Sequence, residues 1–310
     1  MRPGDLTYLQ KTALVTGSTN GIGKVTAFEL ARQGYRVLLT SRDPAKGEKV
    51  LEELKAQSGN DALELFVGDL SSMSEVRRIA LEVREKHPKL HVLVNNAGGL
   101  FNQRQTTVDG FETTFAFNHL AYFLLTNLLL PSLKAAGNAR VVIVSSSGNR
   151  FATMRWNDLQ FSTRYSGWFV YGQSKLMNVL FANALARRLG GTDVTSNSLH
   201  PGVVDTGFGK TSAGLNRLVG RAANLFSITP EKGAENSLYL ATSPEVAGVT
   251  GQYFVKKKSA RANRASYDED AQERLWGLSE KLLAGWLAPV ENANTEDKNA
   301  DTNAVASVHV

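Results

Sequence analysis

The feature that most constrains the fold is a glycine-rich turn near the amino end of the chain. A short β-rich apolar run at residues 12–16 stops at Gly17, and residues 21–33 then place apolar side chains at helical spacing. Glycines at such a junction allow a tight turn and let a pyrophosphate approach the backbone N–H groups of the helix. The pattern therefore favours a dinucleotide-binding unit over a purely structural turn.

Strand and helix patterns alternate along most of the remaining chain. Further β-rich runs lie at residues 35–40, 63–67, 91–95, 140–145, 194–199 and 252–255. Helical patterns begin near Pro44 and cover residues 72–86, 107–136, 171–188 and 230–241. Because strands separated by helices form βαβ units, we predict an α/β fold, a single Rossmann-type doubly wound domain with a mostly parallel seven-stranded sheet and helices on both faces. We assign residues 1–290 to this domain and expect the polar residues 291–310 to be disordered.

Composition excludes several kinds of site. The 310 residues contain no cysteine, which excludes a disulfide framework, a thiolate nucleophile and a cysteine-ligated metal, and fits a reducing cytoplasm. Residues 1–10 carry no apolar run, and the longest apolar stretch, residues 120–130, is much shorter than the roughly 20 residues that span a bilayer. We therefore expect a cytoplasmic protein without integral membrane contact, and we predict no metal site.

The end of the second strand indicates the type of cofactor. In NAD-binding sheets an acidic residue about 20 positions beyond the glycines accepts the ribose hydroxyl, whereas a nearby arginine suits a 2′-phosphate. Here Ser41 occupies the acidic position and Arg42 follows it, with the charge and geometry to bind a phosphate. Asp43 could instead pair with Arg42. We predict a preference for NADP, with NAD still possible.

Polar residues also follow the third and fourth strands. Asp69 and Leu70 come after one strand, and residues 95–98 come after the next. Ligands of doubly wound sheets bind beyond the carboxyl ends of the strands, so both sites are candidates for cofactor contact. Asp69 can accept a hydrogen bond from the adenine amino group, or it can cap the helix that begins after Ser72.

A tyrosine and a lysine four positions apart could supply the chemistry. Tyr171 and Lys175 share one face of a predicted helix. A cation beside a phenol lowers the phenol's pKa from its usual value of about 10. Taken alone, such a pair is more often an exposed tyrosine and a solvated lysine. Its position after a dinucleotide-binding turn favours the catalytic interpretation.

Together these motifs resemble the short-chain dehydrogenase/reductase family. The resemblance covers residues 11–255, and its motifs occur in the family's order: Thr16-Gly-x-x-x-Gly-x-Gly23, Asn95-Asn-Ala-Gly98, Asn118, Ser145-Ser146, Tyr171-x-x-x-Lys175 and His200-Pro-Gly202. The segments Phe117-Asn-His-Leu120, Asn157-Asp-Leu159 and Gln173-Ser-Lys-Leu176 look most like the branch that contains the retinol dehydrogenases.

The resemblance implies a role for each site residue. Tyr171 would be the general acid or base at the substrate oxygen, and Lys175 would lower its pKa and hold the nicotinamide ribose. Ser146 would hydrogen-bond the substrate carbonyl, and Asn118 would position a water that links Lys175 to solvent. The implied cofactor-binding residues are Gly17, Ser18, Asn20, Gly21, Ile22, Gly23, Arg42, Asp69, Leu70, Asn96, Ala97, Gly98, Tyr171, Lys175, Pro201, Gly202, Val204 and Thr206.

Two features depart from the family's pattern. Tyr171 follows Ser146 by 25 positions, which is more than the family's usual spacing, and we expect the extra segment from Phe151 onward to form part of the substrate wall. We also expect no membrane anchor of the kind that many retinol dehydrogenases carry. This difference weakens the inference, from the resemblance, that the substrate is a retinoid. The assignment to Ser146, among three consecutive serines, rests on the family pattern alone.

We predict an NADP-dependent oxidoreductase that interconverts an alcohol and a ketone or aldehyde on a fairly apolar small molecule. Aromatic residues in the variable segments favour such a substrate: Trp156, Phe161, Tyr165, Trp168 and Phe169. A non-catalytic NADPH-binding regulator of the same fold is the alternative hypothesis. A dehydratase or epimerase that uses the same tyrosine and lysine is a third.

Two sequence features concern the binding partners of the protein. The apolar helices at residues 120–130 and 175–189 predict a homodimer or homotetramer through a four-helix contact, although buried core helices would explain them nearly as well. The basic residues between Lys256 and Arg264 could face an acidic substrate, a membrane surface or nucleic acid. Because no nucleic-acid motif accompanies them, a solvated surface is the favoured interpretation and we predict no nucleic-acid partner.

Overall fold

A computed structural model of the protein describes residues 10–202 and 228–289 and confirms the predicted α/β architecture. The sheet has the strand order β3-β2-β1-β4-β5-β6-β7-β8. Its strands are β1 (Thr12–Val15), β2 (Arg36–Ser41), β3 (Leu63–Val67), β4 (Val92–Asn95), β5 (Arg140–Val144), β6 (Thr195–His200), β7 (Tyr253–Val255) and β8 (Lys258–Ser259). All neighbouring pairs from β3 to β7 are parallel, as in a doubly wound nucleotide-binding sheet.

The sheet contains one strand more than the seven that the sequence predicts. Strand β8 has two exposed residues and pairs antiparallel with β7, so it has no apolar alternation that a sequence pattern could reveal. Lys256 and Lys257 form the intervening turn, and both have a positive φ, of 52° and 61°. Two such residues make a type I′ hairpin turn, whose twist matches that of the flanking strands.

The described residues contain eight helices. They are α1 (Gly21–Arg32), α2 (Pro44–Ser58), α3 (Met73–Lys86), α4 (Thr113–Phe115), α5 (Ala121–Ala136), α6 (Gly167–Arg188), α7 (Pro230–Thr242) and α8 (Glu269–Leu287). Local signals set several boundaries: Asp43 caps α2 and Pro44 begins it, while Gly59 ends it in the left-handed conformation. The predicted helix at residues 107–136 begins only at Thr113, because residues 106–112 form a turn closed by a bridge between Thr106 and Glu112.

The core lies on both faces of the sheet. Alternate residues of β1 point to opposite sides: Leu14 belongs to the core cluster that includes residues of α3, α5, α6 and α8, whereas Ala13 and Val15 belong to the cluster that includes residues of α1, α2 and α7. No helix within residues 10–202 and 228–289 combines the length and the apolar content needed to cross a membrane. The predicted disordered tail at residues 291–310 lies outside the described residues.

Helix α8 was not predicted from the sequence. It packs on α5 and α6, where the Trp276 ring centroid lies 4.8 Å from that of Phe123 and 5.8 Å from that of Phe181. Glu273 of α8 forms ion pairs with Arg187 and Arg188 of α6. These are the two helices that the sequence analysis assigned to a four-helix subunit contact, and here a helix of the same chain covers part of them. The subunit contact therefore stays a prediction.

We expect Trp276→Ala to lower the free energy of unfolding by about 3–5 kcal/mol, because it opens a cavity among the rings that join α8 to α5 and α6. The Trp276 side chain is only 6% exposed, and the Arg188 guanidinium lies 3.9 Å from its ring centroid. Chemical denaturation followed by circular dichroism measures the change. Trp168→Ala is the matched control, because Trp168 is 69% exposed and its truncation should change stability by about 0.5 kcal/mol or less.

Candidate active site

The glycine-rich turn after β1 has no room for larger residues. A Cβ on Gly23 would lie 2.2 Å from the Gly17 carbonyl oxygen and 2.4 Å from Asn96 Nδ2. Gly17 has a φ of 65°, in the left-handed region that favours glycine, and its own Cβ would lie 2.9 Å from Ala97 Cα. The turn therefore leaves its backbone open at the start of α1, where N–H groups can bind a pyrophosphate.

Three polar side chains fix the shape of this turn. Ser18 is fully buried, and its Oγ accepts from Thr40 N at 3.0 Å and lies 3.3 Å from Thr40 O, which ties the turn to β2. Asn20 caps α1 by accepting from Gly21 N at 2.9 Å. Asn96, at the end of β4, donates from Nδ2 to Thr16 O at 2.8 Å and so fastens the turn from the other side.

A cavity of about 920 Å³ opens at the carboxyl ends of β1, β4, β5 and β6. It brings together most of the predicted site residues: Gly17, Asn20, Gly21, Ile22, Gly23, Asn96, Ala97, Gly98, Ser146, Tyr171, Lys175, Pro201 and Gly202. This is the position that the rule for doubly wound sheets predicts, beside the point where the strand order reverses. The predicted contacts Val204 and Thr206 lie outside the described residues.

Four predicted cofactor residues do not line this cavity: Ser18, Arg42, Asp69 and Leu70. Leu70 is buried in the core, and Arg42 is exposed just beyond β2. The Asp69 carboxylate accepts from Ser71 N at 2.9 Å and from its hydroxyl at 2.8 Å. Asp69 does not accept from the N–H of Met73 at the start of α3, because that N–H donates to Asp109.

Tyr171 and Lys175 lie on α6, one turn apart, as the spacing predicts. Lys175 Nζ donates to the Val144 carbonyl oxygen at 3.2 Å. The same nitrogen lies 5.6 Å from the ring centroid of Tyr171 and 5.7 Å from that of Tyr122. The ammonium is thus held between two aromatic rings and a backbone carbonyl, at the wall of the cavity.

Burial governs the pKa values of this pair in the protein alone. It lowers the pKa of Lys175 to about 7. It also raises the pKa of Tyr171 above its usual value, and a hydrogen bond with Ser146 acts in the opposite direction. The lowering of the Tyr171 pKa by Lys175 that the sequence suggests is therefore not seen here, since both groups are removed from water.

The structure distinguishes among the three consecutive serines. Ser145 is buried and donates from Oγ to the Lys175 carbonyl oxygen at 2.7 Å. Ser147 begins a short 3₁₀ turn, and its N–H donates to His200 Nδ1 at 3.1 Å. Ser146 lines the cavity with Tyr171, and it is the serine whose hydrogen bonding acts to lower the Tyr171 pKa. This geometry agrees with the assignment that the family pattern suggested.

Asn118 lies in a π-helical turn, Ala116–Leu120, between α4 and α5. Its Oδ1 accepts from Gly99 N at 2.8 Å, and its Nδ2 donates to Gly99 O at 2.9 Å and to Ser174 Oγ at 2.9 Å. Asn118 is fully buried behind the cavity wall, close to Gly98, where a Cβ would meet both Asn118 Oδ1 and Lys175 Nζ. Such single π turns frequently mark functional sites.

The long interval before Tyr171 supplies one side of the cavity, as expected. Of its aromatic residues, Phe151, Phe161, Trp168 and Phe169 line the cavity, whereas Trp156 and Tyr165 do not. Gln173 attaches the segment to α6: its Oε1 accepts from Arg155 N at 2.7 Å, and its Nε2 donates to Leu159 O at 2.9 Å.

Sequence reasoning missed several lining residues: Leu100, Phe117, Arg155 and Arg164. The two arginines belong to the interval that was already assigned to the substrate wall, so their position in that segment is the signal that could have found them. Leu100 and Phe117 carry no such signal, because an apolar residue in a loop or helix looks the same in the core as in a cavity.

Comparison with known proteins agrees with this geometry. A family model for short chain dehydrogenases matches residues 11–214. Human retinol dehydrogenase 14 is 41% identical over 290 residues, covering 88% of this chain and 86% of that protein. Human polyprenol dehydrogenase is 40% identical over 276 residues, covering 87% of this chain and 84% of that protein.

A solved structure of similar fold is the Pseudomonas aeruginosa RhlG/NADP active-site complex. It superposes with a TM-score of 0.65 at 27% identity and covers 79% of this chain and 94% of that one. The fold, the glycine turn and the grouping of Tyr171, Lys175 and Ser146 all agree with these similarities. The chain therefore belongs to the short-chain dehydrogenase/reductase family, in its retinol dehydrogenase-like branch, and is an oxidoreductase that acts on CH–OH donors.

Proposed function

We propose that this protein interconverts an alcohol and a ketone or aldehyde on a fairly apolar small molecule, with NADP as the cofactor and Tyr171 as the general acid or base. One observation carries the proposal: the Tyr171 and Ser146 side chains both line the wall of a cavity that has the glycine turn on one side and aromatic residues on the other. The names of the retinol and polyprenol dehydrogenases, both acting on apolar alcohols, support this substrate class.

The residues present fit a nicotinamide dinucleotide. The glycine turn exposes backbone N–H groups where a Cβ would close the space, and Gly98, Pro201 and Gly202 line the adjoining part of the cavity. When bound, the cofactor supplies or accepts the hydride.

Two side chains of the protein interact with the substrate oxygen. Tyr171 donates a proton to that oxygen during reduction and accepts it during oxidation, and Ser146 donates a second hydrogen bond to the same oxygen. Lys175, which has a pKa of about 7 in the protein alone, becomes protonated more readily beside anionic groups and then stabilises the phenolate.

The surroundings of Arg42 support NADP. Asp43, the residue that could have paired with Arg42, instead caps α2 by accepting from Lys46 N at 3.0 Å. Within the described part of the chain, Arg42 forms no ion pair, so its guanidinium is available to a 2′-phosphate. The end of β2 carries Ser41, not an acid, and its hydroxyl donates to Asp43 O. The RhlG structure, solved with NADP, is consistent with this preference.

We expect Arg42→Gln to raise the Kd for NADPH about tenfold or more, because a hydrogen bond to a charged group contributes about 1.5–3 kcal/mol. The Kd for NADH should change little, since NADH has no 2′-phosphate. Titration of cofactor fluorescence measures both constants. Arg32→Gln, at the far end of α1, is a control of equal charge. Equal weakening of NADPH and NADH binding would contradict the assignment of Arg42.

The function is tested by following NADPH oxidation with aldehydes and ketones of increasing chain length, and NADP reduction with the matching alcohols. We expect kcat/KM to rise with the apolar surface of the substrate. Tight NADPH binding without turnover of any substrate would instead favour the regulator hypothesis.

A further inference from the structure

Three large aromatic side chains stand exposed at the mouth of the cavity. Phe151 is 91% exposed, Trp168 is 69% exposed and Phe169 is 71% exposed, and all three line the cavity. Single exposed apolar residues are ordinary, but a group of them around one opening marks an interaction site.

The basic segment at residues 256–264 lies beside this opening. Asn263 Nδ2 donates to the carbonyl oxygens of Asn149 and Ala152, each at 2.8 Å, and so fastens the segment on both sides of Phe151. The Arg150 guanidinium donates to the Arg261 carbonyl oxygen at 3.5 Å. The charged run, for which the sequence favours a solvated surface, is therefore adjacent to Phe151.

The turn of the β7–β8 hairpin also lies on the side of the protein where the cavity opens. Because β6 and β7 are parallel, the turn that follows Val255 lies at the carboxyl edge of the sheet, where the cavity opens. Asn236 joins the two: its Nδ2 donates to His200 O at the end of β6, and its Oδ1 accepts from Lys257 N.

Most of the basic side chains around the cavity opening have no ion-pair partner among the described residues. Within residues 10–202 and 228–289, six of these cations form no ion pair: Arg150, Arg164, Lys256, Lys258, Arg261 and Arg264. Lys257 is the exception, since it pairs with Glu235. Two acidic neighbours are already engaged: Asp158 pairs with Arg155, and Asp268 caps α8.

We propose that this face, made of the three exposed aromatic residues and the six unpaired cations, docks on the surface of an anionic lipid bilayer. Aromatic residues partition into the interfacial layer of a membrane, and arginine and lysine side chains bind the anionic head groups beside them. An acidic protein or a nucleic acid would satisfy the cations but would give no reason for apolar rings at the mouth of an apolar cavity. Docking in this orientation lets an apolar substrate enter the cavity from the bilayer without crossing water.

The test is flotation of the full-length protein with phosphatidylcholine vesicles, with and without phosphatidylserine, at low and high salt. We expect binding to the anionic vesicles that weakens with salt. Arg261→Gln/Arg264→Gln should lower the partition coefficient about tenfold. Arg84→Gln/Lys89→Gln removes the same charge near the end of α3, at the opposite edge of the sheet, and should change it little.

Insertion of the aromatic residues is measured separately, with brominated lipids that quench tryptophan fluorescence. We expect anionic brominated vesicles to quench the protein, and Trp168→Phe to remove most of that quenching while the protein still floats. Neither readout requires turnover, so failure of docking and failure of the proposed reaction are distinguishable. Absence of flotation, equal losses for the two double variants, or quenching that persists in Trp168→Phe would each overturn the proposal.

Discussion

Tyr171→Phe should reduce kcat by about a thousandfold while the protein still binds NADPH, because the change removes only the hydroxyl that donates the proton. The ring stays in place on α6, so its contact with the Lys175 ammonium, 5.6 Å from the ring centroid, is kept. Ser146 retains its hydroxyl and can still polarise the carbonyl, which leaves a residual rate. Steady-state kinetics and cofactor titration on the same preparation separate the two effects.

Tyr239→Phe is the matched control, since it removes a phenol from α7, which packs on the other face of the sheet. It should leave kcat within about twofold of the wild type, as expected for a substitution remote from the reacting atoms. If Tyr171→Phe kept full turnover on every active substrate, Tyr171 would not be the proton donor.

Lys175→Met should also abolish turnover, yet we expect it to stabilise the protein near neutral pH. Burial lowers the pKa of Lys175 to about 7 in the folded protein, whereas an unfolded lysine has a pKa of about 10.4. Between these two values the unfolded chain binds more protons than the folded protein, so stability rises with pH. The destabilising effect of Lys175 is thus fully present below about pH 7 and disappears above about pH 10.4.

We expect the methionine variant to gain about 2–4 kcal/mol of unfolding free energy at about pH 6 and little at about pH 10.5. The rings of Tyr122 and Tyr171 offset part of the desolvation of the charge. The Val144 carbonyl oxygen stays bonded after the change, because Asn178 Nδ2 also donates to it, at 3.3 Å. Denaturation at several pH values measures the gain. A variant less stable than the wild type at every pH would show that Lys175 is not held as a desolvated charge.

Local patterns predicted the elements that depend on neighbouring residues. The four-residue spacing of Tyr171 and Lys175 fixes their common face on any α-helix, whatever surrounds it. The glycines of the first turn are equally local, since Gly17 adopts a positive φ and the space at Gly23 is closed by the same turn. For this reason the doubly wound fold and the centre of the site could be predicted from the chain alone.

Such local patterns could not predict contacts between residues that lie far apart in the sequence. A cap for α3 was one interpretation of Asp69, but Asp109, from a loop 36 residues beyond Met73, accepts from the Met73 N–H. Ser18, which is predicted to contact the cofactor, uses its side chain to bond Thr40 on β2. Each side chain can make either hydrogen bond, and only the packing of the fold decides which partner lies within reach.

The sequence by itself determined the family, the order of strands β1 to β7 and the pair at the centre of the site, because periodicity and glycine placement are local properties of a chain. Only the tertiary structure decided that Ser146 and Tyr171 line one cavity, that α8 covers part of α5 and α6, and that the basic segment lies beside Phe151. These relations depend on where the packed sheet brings residues far apart in sequence.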